Sequence, residues 1–364
     1  MKKILFFINS LSGGGAEKVL IDLLNMLDKS KYEIDLISVV GGVHKACLSK
    51  NVNCIALTKK FSIFSKILFK LPPRLFRKLF VRKKYDIEIA YLEGFPTKVI
   101  ACGKKSKKIA FVHCDVSVKP VLQKIYKTHA ECLAEYKKFD SMCFVSKKAL
   151  EAYESTFGKL SNARVVHNVI NAADVKSKSE ENNDFDFHSK GLKIISVGRL
   201  SPEKGYERLI KIAGQLEKEY EFELCVLGDG PERKKLEGLI KELDIKSVRL
   251  LGFQKNPYNY MKKADLYVCT SFYEGYSTTV TECMILGIPV LTTDCAGMDE
   301  ILDGGKYGII VSNDETSLEQ GIIGVLENHN IVEQLKLAIE ENIVMSANRI
   351  STEEYDKLFE EVLQ

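Results

Sequence analysis

Short apolar runs alternate with amphipathic or charged stretches along the whole chain, and this alternation restricts the fold more than any other feature. Residues 2–9 form the first run, followed by YEIDLISVV at 32–40, VNCIALT at 52–58, YDIEIAYL at 85–92, KKIAFVHC at 107–114 and FDSMCFVS at 139–146. Between the first two, SLSGGGAEKVLIDLLNML places Val19, Leu20, Leu23, Leu24 and Leu27 on one side of a helix. Strands alternating with helices make a parallel sheet covered by helices on both faces. A second series then begins: LKIISVGRL, FELCVLGDG, SVRLLGF, ADLYVCTS, PVLTTD and YGIIVS. The chain therefore reads as α/β, with two similar domains in tandem.

Length supports two cores, because 364 residues exceed one ordinary domain. The expected first domain is 1–170, and the second is 192–340. The intervening stretch 171–191, NAADVKSKSEENNDFDFHSKG, is rich in charge, Asn and Ser and reads as a linker. The tail 341–364 is charged and helical in pattern, with an expected packing across the domains. No apolar run reaches the roughly 18 residues of a membrane span. The apolar part of the N-terminus, Ile4 to Ile8, is short for a signal peptide and reads as the first strand. The ten cysteines form no Cys-x-x-Cys pair. They read as buried thiols of a reducing cytosol, not as disulfides or zinc ligands.

Charge is unevenly spread. The net charge is +4, yet residues 1–110 carry 22 basic and 8 acidic residues, or +14, leaving −10 for the remainder. A basic first half suggests an anionic partner there. The source is largely 59–85, with ten Lys/Arg and no acid, in which Phe64, Ile67, Leu68, Leu71, Leu75 and Leu79 recur at helical spacing. Pro72-Pro73 divides it into two short helices. A basic amphipathic face suits an anionic membrane surface, and it equally suits a helix pair with a solvated basic side. Nucleic acid is disfavoured, because no recognition module accompanies the charge.

Chemistry concentrates in 271–294, SFYEGYSTTVTECMILGIPVLTTD. It reads as loop, helix and strand, entered from the strand ADLYVCTS. Ligands of open α/β sheets bind at the carboxyl ends of strands, and helix N-termini bind phosphate. Gly275, Tyr276, Ser277, Thr278 and Thr279 are thus candidates for holding a nucleotide diphosphate. Glu274 and Glu282 lie eight residues apart. They suit an acid/base pair or acceptors for sugar hydroxyls, and Thr279-x-x-Glu282 also has capping-box spacing. In VGRLSPEKG, Arg199 and Lys204 follow the first strand of the second series and can stabilise a diphosphate leaving group. The alternative is a pair of solvated surface cations.

Gly13-Gly14-Gly15 permits close backbone approach before a helix N-terminus. It is neither a P-loop nor a good dinucleotide fingerprint, since Asp35 falls inside the second strand. A simple connecting turn is the alternative. LGDGPE at 227–232 is a structural turn. His113 ends a strand and can reach a cleft, as can His167 and Asn168, though a lone His is more often a structural hydrogen-bonder.

Together these pieces resemble the retaining glycosyltransferases of family 4, the "group 1" transferases with the GT-B fold. The resemblance is carried by Gly14-Gly15-Ala16-Glu17, Val197-Gly198-Arg199-Leu200, Glu203-Lys204-Gly205, Gly228-Asp229-Gly230-Pro231, Glu274-Gly275-Tyr276-Ser277 through Glu282, Gly287-x-Pro289-Val290 and Gly297-Met298-x-Glu300. Tyr276 stands where the family usually has Phe. The resemblance implies two Rossmann-like domains facing across a cleft, with the donor on the second. It implies that Arg199 and Lys204 hold the diphosphate and that Glu274 and the amides of 275–279 hold sugar and phosphate. It further implies that Glu282 holds the ribose, that Gly14-Gly15 approaches the diphosphate, and that His113 lines the acceptor side. Neither metal nor cofactor is expected, and Asp184-x-Asp186 falls in the expected linker. The expected activity is transfer of a hexose or N-acetylhexosamine, most simply from a UDP-sugar, to a glycan or polyprenyl-diphosphate-linked glycan. That reaction would belong to cell-surface polysaccharide or capsule synthesis at the inner face of the cell membrane. The competing readings are a GT-B epimerase or phosphorylase and a non-catalytic nucleotide-sugar-binding module.

Overall fold

The computed structural model describes residues 1–117, 122, 125–341 and 351–364. It divides into two compact units: Met1–Ile170 joined by the C-terminal helix, and a second unit that begins at Asn171. Each is an α/β unit with a fully parallel sheet.

The first sheet contains β1 (Lys2–Ser10), β2 (Tyr32–Val40), β3 (Val52–Thr58), β4 (Ile87–Ala90), β5 (Lys107–Val112), β6 (Ser141–Phe144) and β7 (Ala163–Val165). Their order is β3-β2-β1-β4-β5-β6-β7, and every neighbouring pair is parallel. Alternate residues enter two cores on opposite faces. Ile4, Phe6 and Ile8 join one cluster, while Leu5 and Phe7 join the other. Burial on both faces explains why β1 is continuously apolar.

The second sheet contains β8 (Leu192–Val197), β9 (Phe222–Leu227), β10 (Val248–Gly252), β11 (Leu266–Cys269), β12 (Val290–Thr293) and β13 (Gly308–Val311). Its order is β10-β9-β8-β11-β12-β13, again all parallel. In each sheet the order reverses beside the first strand, at β1/β4 and β8/β11. Such reversals open the crevice in which doubly wound proteins bind ligands.

One expectation about organisation changes, that of a linker at 171–191. The stretch 171–191 is folded against the second unit. It contains the helix Ala172–Ser179, whose N-cap Asn171 accepts from the Asp174 N–H at 3.1 Å. The Asn256 amide donates to Lys178 O at 2.8 Å, Asn259 donates to Glu181 O at 3.0 Å, and the Ser189 N–H donates to Glu223 at 2.9 Å. Local capping and these polar anchors outweigh its charged, linker-like composition. The tail ends in the helix Glu353–Leu363, which packs on the first unit. Tyr355 stacks on Phe111 with ring centroids 5.8 Å apart, and the Tyr32 hydroxyl donates to Asp356 at 2.8 Å. Residues 342–350 of the tail lie outside the described residues.

The basic stretch forms two helices as expected, Ile63–Lys70 and Pro73–Phe80. Leu68 and Phe76 are buried, whereas Phe61, Ile63, Phe64, Ile67, Leu75 and Leu79 are exposed. Arg77 is not a free surface cation: both terminal nitrogens bind the Glu88 carboxylate at 2.6 Å. Among the described residues no helix is long and apolar enough to cross a membrane. Among the described residues no disulfide forms; of the ten cysteines six are buried, Cys47 is exposed, and Cys54, Cys102 and Cys114 are half-buried.

Candidate functional site

The carboxyl ends of β8 and β11 bring two of the predicted residues into contact. Lys204 closes a short 3₁₀ turn, Pro202–Lys204, after β8. Glu274 lies in the loop after β11. The Lys204 Nζ donates to Glu274 Oε1 at 2.6 Å, with 28% and 14% of the side chains exposed. Burial alone would lower the Lys204 ammonium, but the Glu274 charge and hydrogen bond more than offset it. Lys204 is therefore charged throughout the physiological range.

The loop is tied down from several sides. The Ser271 hydroxyl donates to the same Glu274 oxygen at 2.7 Å, and the Thr270 hydroxyl donates to Lys204 O at 2.8 Å. The Phe272 N–H donates to Glu203 O at 2.8 Å. Gly205 makes this approach possible. It adopts φ +67°, and a Cβ there would lie 2.2 Å from Thr270 O, so only glycine fits.

The helix Thr278–Leu286 starts with Ser277 as N-cap, its hydroxyl accepting from the Val280 N–H at 3.4 Å. Thr278 and Thr279 occupy the first helical positions, where backbone N–H groups lack intrahelical acceptors. The Thr279–Glu282 capping box does not form, because the cap lies at Ser277 and Thr279 is already helical. Glu282, 5% exposed, instead accepts from the Tyr258 hydroxyl at 2.8 Å. Gly275 and Tyr276 are buried in the turn before the cap. Gly297, at φ +80°, lets the next loop approach them: a Cβ there would stand 2.9 Å from Gly275 O. Arg199 follows β8 and is exposed, with no ion pair among the described residues.

The remaining predicted residues belong to the first unit. Gly14 caps the helix Gly15–Met26 after β1 and both glycines are exposed. A Cβ at Gly14 would lie 2.1 Å from Glu17 Oε2, so its lack of a side chain makes room for that carboxylate. Glu17 accepts from the Ser10 hydroxyl at 3.0 Å.

His113 follows β5. Its ring packs against Tyr91, with centroids 4.7 Å apart, and its backbone N–H donates to the Glu93 carboxylate. Burial lowers the imidazole to about 3, so the ring is neutral at physiological pH. That state rules out a resting imidazolium at His113.

Sequence reasoning missed Ser271, Tyr258, Glu93 and Arg208. Ser271 and Glu93 each lie close to a predicted residue in the chain or at a neighbouring strand end. Tyr258 and Arg208 carry no motif.

Comparison with known proteins bears on the fold and the enzyme class. The family model for glycosyl transferases group 1 matches residues 177–343. A Campylobacter jejuni relative, N-acetylgalactosamine-N,N'-diacetylbacillosaminyl-diphospho-undecaprenol 4-alpha-N-acetylgalactosaminyltransferase, is 28% identical over 91% of this chain and 92% of its own. A second transferase from that organism, GalNAc-alpha-(1->4)-GalNAc-alpha-(1->3)-diNAcBac-PP-undecaprenol alpha-1,4-N-acetyl-D-galactosaminyltransferase, is 26% identical over 92% of each chain. Among solved structures, Anabaena HepE in complex with UDP and glucose superposes with a TM-score of 0.78 at 19% identity, over 100% of this chain and 99% of that one. The fold is GT-B, and the enzyme class is glycosyltransferase. Over the matched residues 177–343 the chain is similar to the group 1 glycosyl transferases.

Proposed function

We propose that the enzyme transfers a hexose or N-acetylhexosamine, with retention of anomeric configuration and without a metal, from a UDP-sugar to a lipid-diphosphate-linked glycan. The observation that carries this reading is the Lys204–Glu274 pair, a fixed cation and a fixed carboxylate 2.6 Å apart at the strand-order reversal of the second sheet. Arg199 and Lys204 hold the diphosphate, helped by the N–H groups opening the helix Thr278–Leu286. Glu274 accepts from the sugar hydroxyls and Glu282 from the ribose. The glycines Gly14 and Gly15 give the diphosphate a close backbone neighbour, and His113 lines the acceptor side as a neutral ring.

In the transfer, the bond from the anomeric carbon to the β-phosphate oxygen breaks as the acceptor oxygen attacks the same face. The acceptor proton passes to the departing phosphate oxygen, and nucleoside diphosphate leaves. Charge grows on that oxygen, so fixed cations stabilise the transition state more than the ground state. No protein nucleophile enters.

Support for the donor comes from HepE, which was crystallised with UDP and glucose. Support for the acceptor comes from the two Campylobacter enzymes, whose names specify undecaprenol-diphosphate-linked substrates. Residues 59–84 support a peripheral site at the inner membrane face, within surface-polysaccharide or capsule assembly. Their two helices combine cations with the exposed Ile63, Phe64, Ile67 and Leu75, as a surface-lying amphipathic element does.

A panel of nucleotide sugars incubated with undecaprenyl-diphosphate-linked saccharides, with and without EDTA, tests the reaction. Acceptor-dependent release of UDP and an axial product linkage are expected in both conditions; conversion of the donor without acceptor would establish the epimerase reading. Flotation with anionic liposomes tests the membrane role. Replacing Lys66, Lys70 and Arg74 by Gln, or Phe64 and Ile67 by Ser, is expected to weaken flotation, and unchanged flotation in both variants would remove it.

A further inference from the structure

Arg208 is the third residue of the helix Tyr206–Leu216, and it is 3% exposed. A cation in the first turn of a helix opposes the helix dipole, and a buried cation normally sits against a carboxylate. Arg208 makes no direct ion pair among the described residues, and the Glu315 and Asp314 carboxylates act on it only at longer range. Its hydrogen bonds go to neutral oxygens: Thr270 O from Nη2 at 2.6 Å and from Nε at 3.2 Å, Ser271 O at 3.2 Å and Asn313 Oδ1 at 2.8 Å. Burial lowers its guanidinium from the ordinary value. The guanidinium also lies 4.0 Å over the Phe272 ring.

Asn313, just after β13, completes the arrangement from the other side. Its amide donates to Ser271 O at 3.3 Å and Phe272 O at 2.9 Å. The Thr293 hydroxyl donates to Ser271 O as well, at 2.7 Å. Three consecutive carbonyls, 270 to 272, are thus gripped by one fork and one amide. These carbonyls belong to the strand-end segment whose next polar groups are the Ser271 hydroxyl and the Glu274 carboxylate, joined at 2.7 Å. Arg208 itself does not contact Glu274 or Lys204 through any of these bonds.

We propose that Arg208, with Asn313, is a positioning residue that sets Glu274 against the transferred sugar. This rests on the reading of Glu274 as a sugar ligand. The guanidinium suits the task because Nη2 meets both carbonyls and the amide oxygen while Nε, in the same rigid plane, holds the Thr270 carbonyl a second time, which fixes an orientation that a freely rotating ammonium does not. With its hydrogen bonds all on neutral oxygens and its carboxylate neighbours acting only at longer range, the buried cation makes best sense as a geometric constraint. Displacing a catalytic group by about 1 Å can cost roughly 100-fold in rate.

The test is a kinetic cycle of Arg208→Gln, Glu274→Gln and the double variant, with free UDP affinity measured alongside. Arg208→Gln is expected to lower kcat by roughly 30-fold and leave UDP affinity within about threefold, since UDP lacks the sugar that Glu274 holds. In the Glu274→Gln background the same change is expected to cost under about threefold, because the two act as one unit. Arg208→Lys recovers part of kcat. Asn313→Ala, which keeps the cation, shows a smaller loss of the same kind and replaces Arg208→Gln if that variant does not fold. Additive losses, an unchanged kcat in the Arg208 and Asn313 variants, or loss of UDP affinity in proportion to kcat overturns the proposal. Full turnover in Glu274→Gln alone overturns the sugar-ligand reading as well, which separates the two failures.

Discussion

The two strand-order reversals have the same topology and different chemistry. At β8/β11 a half-buried lysine meets a carboxylate, a capped helix begins beside them, and a second carboxylate is held by Tyr258. At β1/β4 and the neighbouring end of β5 stand exposed glycines and a neutral, ring-packed histidine. One reversal carries fixed charge suited to a leaving diphosphate. The other offers open backbone and an uncharged ring. The parallel sheet supplies the location in both units, and the residues after the strands decide what that location can do.

The largest effect belongs to the charged side. Lys204→Ala should reduce transfer by roughly 100- to 1000-fold, read as kcat/KM, because it removes the cation and leaves Glu274 without that partner. The same loss on replacing His113 would erase the contrast. Next is Gly205→Ala. The φ of +67° and a Cβ 2.2 Å from Thr270 O predict about 3 kcal/mol of lost stability from backbone strain and overpacking, measured by urea denaturation. Gly14→Ala is expected to cost less, because the side chain of Glu17 can move.

The third prediction concerns pH. His113 has its imidazole lowered from 6.5 to about 3 by burial. The unfolded chain therefore binds a proton that the folded chain does not between those values. Stability is fully present above 6.5 and falls as pH drops toward 3, by about 2 kcal/mol at pH 5. His113→Gln should flatten that slope in chemical denaturation at pH 5 and pH 8. The smallest effect is Tyr258→Phe. Removing the donor to Glu282 costs about 1 kcal/mol and should weaken UDP binding a few-fold by calorimetry.

Much of this was legible in the sequence. The apolar runs located both series of strands, since strands buried on both faces must be continuously apolar. Lys204 and Glu274 could each be placed at a strand end of one series, although their direct ion pair could not be read. Other features depend on contacts that leave no local mark. Asn171-Ala-Ala-Asp174 is a helix start inside a charged stretch, and composition masked the cap. Thr279-x-x-Glu282 has the spacing of a capping box, but Ser277 two residues earlier captured the helix start. Tyr355, Leu358, Phe359 and Val362 announce a buried helix face without saying which sheet it covers. Arg208 was invisible because its partners are chiefly backbone carbonyls, which every residue possesses.

The most direct test of the central claim is acceptor-dependent release of UDP from a matched UDP-sugar by wild-type, Lys204→Ala and Glu274→Ala enzymes whose folding is verified by circular dichroism. The account predicts release only with acceptor present, and its loss by at least about 100-fold in both variants. Turnover retained in both folded variants, or release indifferent to acceptor, would contradict it.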